Sequence, residues 1–84
     1  MVPTKAHQLR QAIMGAGGEA PLGYTSATPF ENREGRLPAG EYQKYDVHPL
    51  VPGKSRGPER LIIDRMSGRA YYTPDHYQSF EELE

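Results

Sequence analysis

The sequence predicts an α+β domain, one N-terminal helix packed on a twisted antiparallel sheet. Three observations carry the prediction. Apolar residues recur at helical spacing only near the N-terminus. A stretch rich in Gly, Pro, Ser and Thr follows it. From residue 41 the apolar period changes to two, the period of half-buried strands.

The helix covers about residues 4–14. Thr4 is the expected N-cap after Pro3, and Ala6, Leu9 and Ile13 share one face at i, i+3 and i+7. Gly15, Gly17 and Gly18 stop it, and residues 15–29 form a connecting loop. The sheet region runs from about residue 30 to 84. Within it, Tyr45 and Val47 alternate with Lys44, Asp46 and His48 in a strand ended by Pro49 and Pro52. Residues 53–58 form a loop, and Arg60 to Asp64 form the next strand with Leu61 and Ile63 on its core face. Met66-Ser67-Gly68 turns the chain into a strand from Arg69 to Thr73. After the Pro74-Asp75-His76 turn, Gln78 to Phe80 is read as a short last strand. No internal repeat or low-complexity tract divides the chain, so residues 1–84 form one domain.

A chain of 84 residues buries only roughly 60–65% of its unfolded surface, so its stability margin is modest. There is no cysteine, hence no disulfide framework and no thiolate metal site. No apolar run reaches the ~20 residues that span a bilayer. The start Met1-Val2-Pro3-Thr4-Lys5 does not read as a secretory leader. The net charge is −1, yet eight of the ten basic residues lie between Arg33 and Arg69. A local basic pocket in a near-neutral protein suits gripping one or two phosphates, and not coating long nucleic-acid tracts.

Strand parity gathers the candidates for chemistry. If Tyr45, Val47, Leu61 and Ile63 face the helix, then Arg60 and the Lys44/Asp46/His48 row face the other side. The helix can cover only one sheet face, which leaves the second open for a ligand. Near it, Thr73-Pro74-Asp75-His76-Tyr77 poises a histidine in a turn, and Arg56 and Arg60 have the spacing to grip one phosphate. Asn32-Arg33-Glu34 has the donors and acceptors to read a purine edge. A proton donor, a phosphate clamp and a base reader together point to RNA cleavage. Each has a plainer reading: His76 as a turn residue, Glu34 as a solvated carboxylate, Arg56 and Arg60 as partners of Asp46 and Glu59. Asn32 also holds its loop by Asx-type bonding. Tyr42, Tyr45, Tyr71 and Tyr72 read as packing, His7 as inert, and Arg65, Arg69 and the Glu81-Glu82-Glu84 tail as solvated surface.

Phe-x-Asn-Arg-Glu-Gly-x-Leu-Pro at Phe30–Pro38 and Arg56-Gly57 with Arg60 four residues on stand in the order of a known family. So does Tyr-Tyr-Thr-x-Asp-His-Tyr-x-x-Phe at Tyr71–Phe80. The chain resembles the barnase family of small bacterial guanyl-preferring ribonucleases, from the helix through Phe80. The resemblance implies the microbial ribonuclease fold and cleavage of single-stranded RNA after guanosine, leaving a 2′,3′-cyclic phosphate. It implies that Glu34 accepts from the guanine N1–H and amino group. Backbone N–H groups near Asn32 and Arg33 would donate to O6, and Phe30 and Tyr77 would offer stacking surface. Arg56 and Arg60 would stabilise transition-state charge, and His76 would protonate the departing 5′ oxygen. The attacking group is the substrate's own 2′-hydroxyl, so RNA is the expected partner and no metal or cofactor is needed. Nothing in the sequence suggests more than a monomer, and the short chain without a leader motivates a further reading, the toxin part of a larger secreted protein, beside that of a secreted enzyme. A small acidic barstar-like inhibitor would then fit a pocket lined by Arg33, Arg56 and Arg60.

One departure bears on activity. The family carries its general-base glutamate on the first central strand, and Lys44 occupies that position here. A protonated lysine cannot accept the 2′-hydroxyl proton. Three explanations stay open: a substitution that disarms a toxic enzyme, a substitute base in Asp46 or His48, or lost cleavage with guanine or RNA binding kept. Asp46 has a second reading, as a brace for the two arginines.

Overall fold

The structure, a computed structural model, describes residues 1–84. Helix α1 spans Thr4–Gly15 and buries Ala6, Leu9 and Ile13, the face its spacing predicts. Thr4 is not its N-cap. Pro3 holds that position in extended backbone, its carbonyl accepting the Ala6 N–H at 3.0 Å, and no side chain caps the helix. Thr4 is therefore already helical, since the proline ring fixes the entry angle one residue earlier. At the other end the Ile13 carbonyl accepts from Ala16 (3.1 Å) and Gly18 (2.9 Å). Gly17 and Gly18 both take positive φ, which glycine adopts without a Cβ penalty.

Five strands follow: β1 Thr28–Phe30, β2 Tyr42–Asp46, β3 Arg60–Asp64, β4 Ala70–Thr73 and β5 Glu81–Leu83. They form one antiparallel sheet in the order β1-β2-β3-β4-β5. β4 begins at Ala70, one residue after the expected Arg69, and β2 ends at Asp46, short of His48; β1 and β5 differ more. β1 begins inside the predicted 15–29 loop. It is a three-residue edge strand with Pro29 at its centre, a position where a missing N–H costs no ladder bond. The last strand is Glu81–Leu83 and not Gln78–Phe80, because Asp75 gathers residues 78 and 79 into its own turn. Glu81 and Glu82 are exposed as expected of the tail, but Leu83 pairs with Ala70 and is buried.

The main core lies between α1 and one sheet face, where Ala6, Leu9 and Ile13 meet Tyr45, Val47, Leu61, Ile63, Ala70, Tyr72 and Leu83. The opposite face is not fully open. Leu37, Tyr42, Ile62 and Tyr71 are buried there, with Phe30, Tyr77 and Phe80 packed against them. The segments 30–38 and 74–80 fold back over half of this face because each carries aromatic or aliphatic residues that the helix cannot cover. The other half, around Asp46, Arg60 and Thr73, is filled by polar and charged side chains, with Asp46 and Thr73 buried. All four tyrosines read as packing residues are buried. No helix is long and apolar enough to cross a membrane.

Candidate functional site

Register places one row of side chains across the polar half of this face. Asp46 is opposite Arg60, and Arg60 is opposite Thr73. Asp46 is 8% exposed, and a buried carboxylate is tolerable only when it is paired. It is paired twice: Oδ1 lies 3.0 Å from Arg60 Nε and Oδ2 2.6 Å from Arg56 Nη1. Arg60 Nη1 also donates to the carbonyls of Gly57 and Glu59, both at 2.7 Å, and Arg56 Nη1 to Thr25 Oγ1 at 2.9 Å. Of the two readings of Asp46, the contacts are those of the brace. Both of its oxygens face guanidinium groups.

Thr73, fully buried, positions the histidine. Its hydroxyl donates to Asp75 Oδ1 (2.9 Å) and accepts the Tyr77 N–H (3.0 Å). Asp75 in turn accepts from the Gln78 and Ser79 N–H groups and the Ser79 hydroxyl. The Ser79 bonds foremost hold its carboxyl below the ordinary aspartate value. His76 and Tyr77 are driven into the left-handed region, with φ 56° and 74°, a conformation that costs roughly 1–3 kcal/mol per residue and persists only where surroundings enforce it. The His76 N–H donates to Pro58 O at 2.9 Å, tying the turn to the arginine loop.

The Phe30–Pro38 loop is closed by Asn32. Its side-chain amide donates to Leu37 O (2.8 Å) and accepts the Leu37 N–H (3.1 Å), while its own backbone takes φ 53°. Arg33 pairs with Glu31 at 2.8 Å; that hydrogen bond lowers the Glu31 carboxyl and raises the Arg33 guanidinium from their ordinary values. Glu34 points to solvent, 72% exposed, with Arg36 3.6 Å away. Arg36 also donates to Gln78 O at 2.9 Å, joining this loop to the histidine turn. Phe30 and Tyr77 stack on each other at 5.2 Å. Burial, more than the opposing pull of Arg60, raises the Tyr77 phenol.

Two cavities adjoin on this surface. One, of about 300 Å³, is lined by Phe30, Asn32, Arg33, Glu34, Lys44 and Tyr77 among others. The second, of about 270 Å³, is lined by Asp46, Arg56, Arg60 and His76, again with Lys44 and Tyr77. The base-reading candidates and the phosphate and proton candidates therefore occupy neighbouring hollows that share Lys44 and Tyr77. The Lys44 ammonium lies 5.8 Å from the Tyr77 ring centre.

His48 does not join them. Read as sharing the face of Lys44, it leaves that face because β2 ends at Asp46 and the chain bends before Pro49. Its Nε2 meets Glu59 Oε2 at 2.6 Å. Lys5 of α1 also pairs with Glu59 (2.8 Å), and the Tyr72 hydroxyl donates to it. Burial alone would raise the Glu59 carboxyl, but the Lys5, Tyr72 and His48 hydrogen bonds together bring it down to about 2. Sequence reasoning passed over Thr25, Ser26 and Thr28, which line the second cavity, and gave Arg36 and Thr73 no role of their own; Glu59, read as a partner of Arg56 and Arg60, pairs with Lys5 and His48 instead. The Thr73-x-Asp75 spacing, a side-chain-capped turn pattern, was a usable signal for one of these.

The profile of a family described as ribonuclease matches residues 1–84. The chain is 38% identical to guanyl-specific ribonuclease Sa3 of Kitasatospora aureofaciens over 99% of its own length and 59% of that protein. It is 45% identical to guanyl-specific ribonuclease St of Saccharopolyspora erythraea over 63% of its length and 54% of that protein. It thus spans less than two thirds of these relatives. A crystal structure of ribonuclease Sa2 with guanosine-2′-cyclophosphate superposes with a TM-score of 0.73 at 32% identity, covering 99% of this chain and 87% of that one.

Proposed function

The chain belongs to the ribonuclease family, and from that premise we propose that it is an endoribonuclease cleaving single-stranded RNA after guanosine. The observation that carries the reading is the pair of adjoining cavities. One has aromatic walls and an exposed carboxylate, the other two braced guanidinium groups and an imidazole. In the reaction, the 2′-oxygen bonds to phosphorus and the 5′-oxygen leaves with a proton from His76, giving a 2′,3′-cyclic phosphate. Arg56 and Arg60, held in place by Asp46, offset the charge that builds on the phosphoryl oxygens; such preorganised stabilisation is usually the largest catalytic contribution. Glu34 would accept from the guanine N1–H and amino group. Incubation with a GpX dinucleotide should yield guanosine 2′,3′-cyclic phosphate, and equal cleavage after all four bases would remove the role given to Glu34.

Lys44 favours a second reading, a site that binds guanosine phosphates and turns them over slowly. The contacts of both substitute bases favour it: Asp46 holds two arginines, and His48 is bound to Glu59 on the helix side. The 2′-hydroxyl proton is then left to solvent. A positioned general base contributes roughly 10²–10⁴-fold, so Lys44→Glu should raise kcat/KM on GpX by about that factor. An unchanged rate would mean that the base position is not what limits turnover.

A further inference from the structure

The charge that Lys44 brings bears on which phosphate the site prefers. The second cavity is lined by Lys44, Arg56 and Arg60, and its one carboxylate is Asp46. Both Asp46 oxygens are taken by the arginines. Within this cavity three cations face one carboxylate, a surplus of two positive charges; Glu31, whose carboxyl Lys44 helps to lower, lies in the adjoining cavity and is paired with Arg33. Lys44 itself has no carboxylate partner; its ammonium lies against the Tyr77 ring, at the junction of the two cavities. An internal phosphodiester or a cyclic phosphate carries one negative charge. A terminal phosphate monoester, with a second pKa of about 6, carries close to two near neutrality.

We propose that Lys44 makes this site select a terminal phosphate monoester, as the dianion, over a cyclic or internal diester. The proposal rests on the guanine-pocket reading above. The base would occupy the hollow of Phe30 and Glu34 and the phosphate that of Arg56 and Arg60. Lys44 is the one unpaired cation lining both.

Calorimetric titration of the wild-type chain at low salt and about pH 7.5, above the second phosphate pKa, tests this. The ligands are guanosine 3′-monophosphate, guanosine 2′,3′-cyclic phosphate and adenosine 3′-monophosphate. The guanosine monoester should bind about tenfold tighter than the cyclic phosphate, the order expected of one more unit charge among cations in a solvated pocket. Added salt should shrink that ratio. Lys44→Met should bring it close to unity, and Lys44→Arg should keep it. Equal wild-type binding of monoester and cyclic phosphate, or a ratio undiminished in Lys44→Met, would overturn the proposal. Equal binding of the adenosine and guanosine monoesters would sink the guanine-pocket reading and leave the dianion preference standing. No binding of any of the three would overturn both.

Discussion

Asp46 illustrates how a buried carboxylate is made useful. Alone it would be costly to desolvate; between Arg60 and Arg56 it holds two guanidinium groups at one cavity wall. Two cations that would otherwise repel are fixed side by side, which is the preorganisation that the proposed phosphate chemistry needs. Removing one member of a buried ionic cluster leaves the rest uncompensated, at a cost of roughly 3–5 kcal/mol. Asp46→Asn, which keeps the shape, should therefore lower the unfolding free energy by about 3 kcal/mol in urea denaturation. A loss under about 0.5 kcal/mol, the range of ordinary surface substitutions, would mean that the arginines are held by Gly57, Glu59 and Thr25 instead.

At the scale of elements, the segment from Gly57 to Arg60 is clamped from two sides. On the site side its carbonyls accept from Arg60 and the His76 N–H. On the helix side Glu59 joins α1, the end of β2 and β4 through Lys5, His48 and Tyr72. Because the folded-state Glu59 value is depressed from 4.5 to about 2, its stabilisation is fully present above pH 4.5 and is lost as pH falls toward 2. Urea midpoints measured stepwise over that window should fall less steeply in Glu59→Gln than in the wild type. Parallel curves would show that the cluster does not contribute. The histidine turn rests on β4 in the same way. Thr73→Val removes the hydroxyl that bonds Asp75 and Tyr77, leaving a buried N–H without its acceptor at about 1–3 kcal/mol. The left-handed His76 and Tyr77 should relax, visible as a shift of the His76 ring resonances, and an unmoved ring would remove Thr73 from the positioning of His76.

For the molecule as a whole, two small cores on opposite sheet faces share the central strand β3. Leu61 is fully buried under the helix and Ile62 fully buried on the other side. A domain of this size has only a few kcal/mol to spare. Leu61→Ala, at about 2–5 kcal/mol, should bring thermal unfolding close to room temperature, whereas Leu22→Ala, at a fully exposed position, should leave the melting temperature unchanged. A modest shift from Leu61→Ala would indicate that the second core carries the fold.

The fold class, the buried helix face and the bounds of β3 were legible in the sequence because hydrophobic period and turn residues are local signals. So were Phe30–Pro38, Arg56, Arg60 and His76 as candidates, because each stands in a motif whose chemistry depends on neighbours in the chain. Which of Asp46 and His48 could face a substrate was not legible. Parity gives both the same face, and only the end of β2 and the pull of Glu59 and Lys5 send the imidazole to the other side. The last strand slipped by three residues for a related reason, since Asp75 reaches forward to capture residues that alternation alone assigns to the sheet. The sequence determined which groups the protein possesses. The tertiary structure decided which carboxylate was already spent and left Lys44 as the unpaired cation between two cavities, because pairing across strands depends on register and burial that no local pattern encodes.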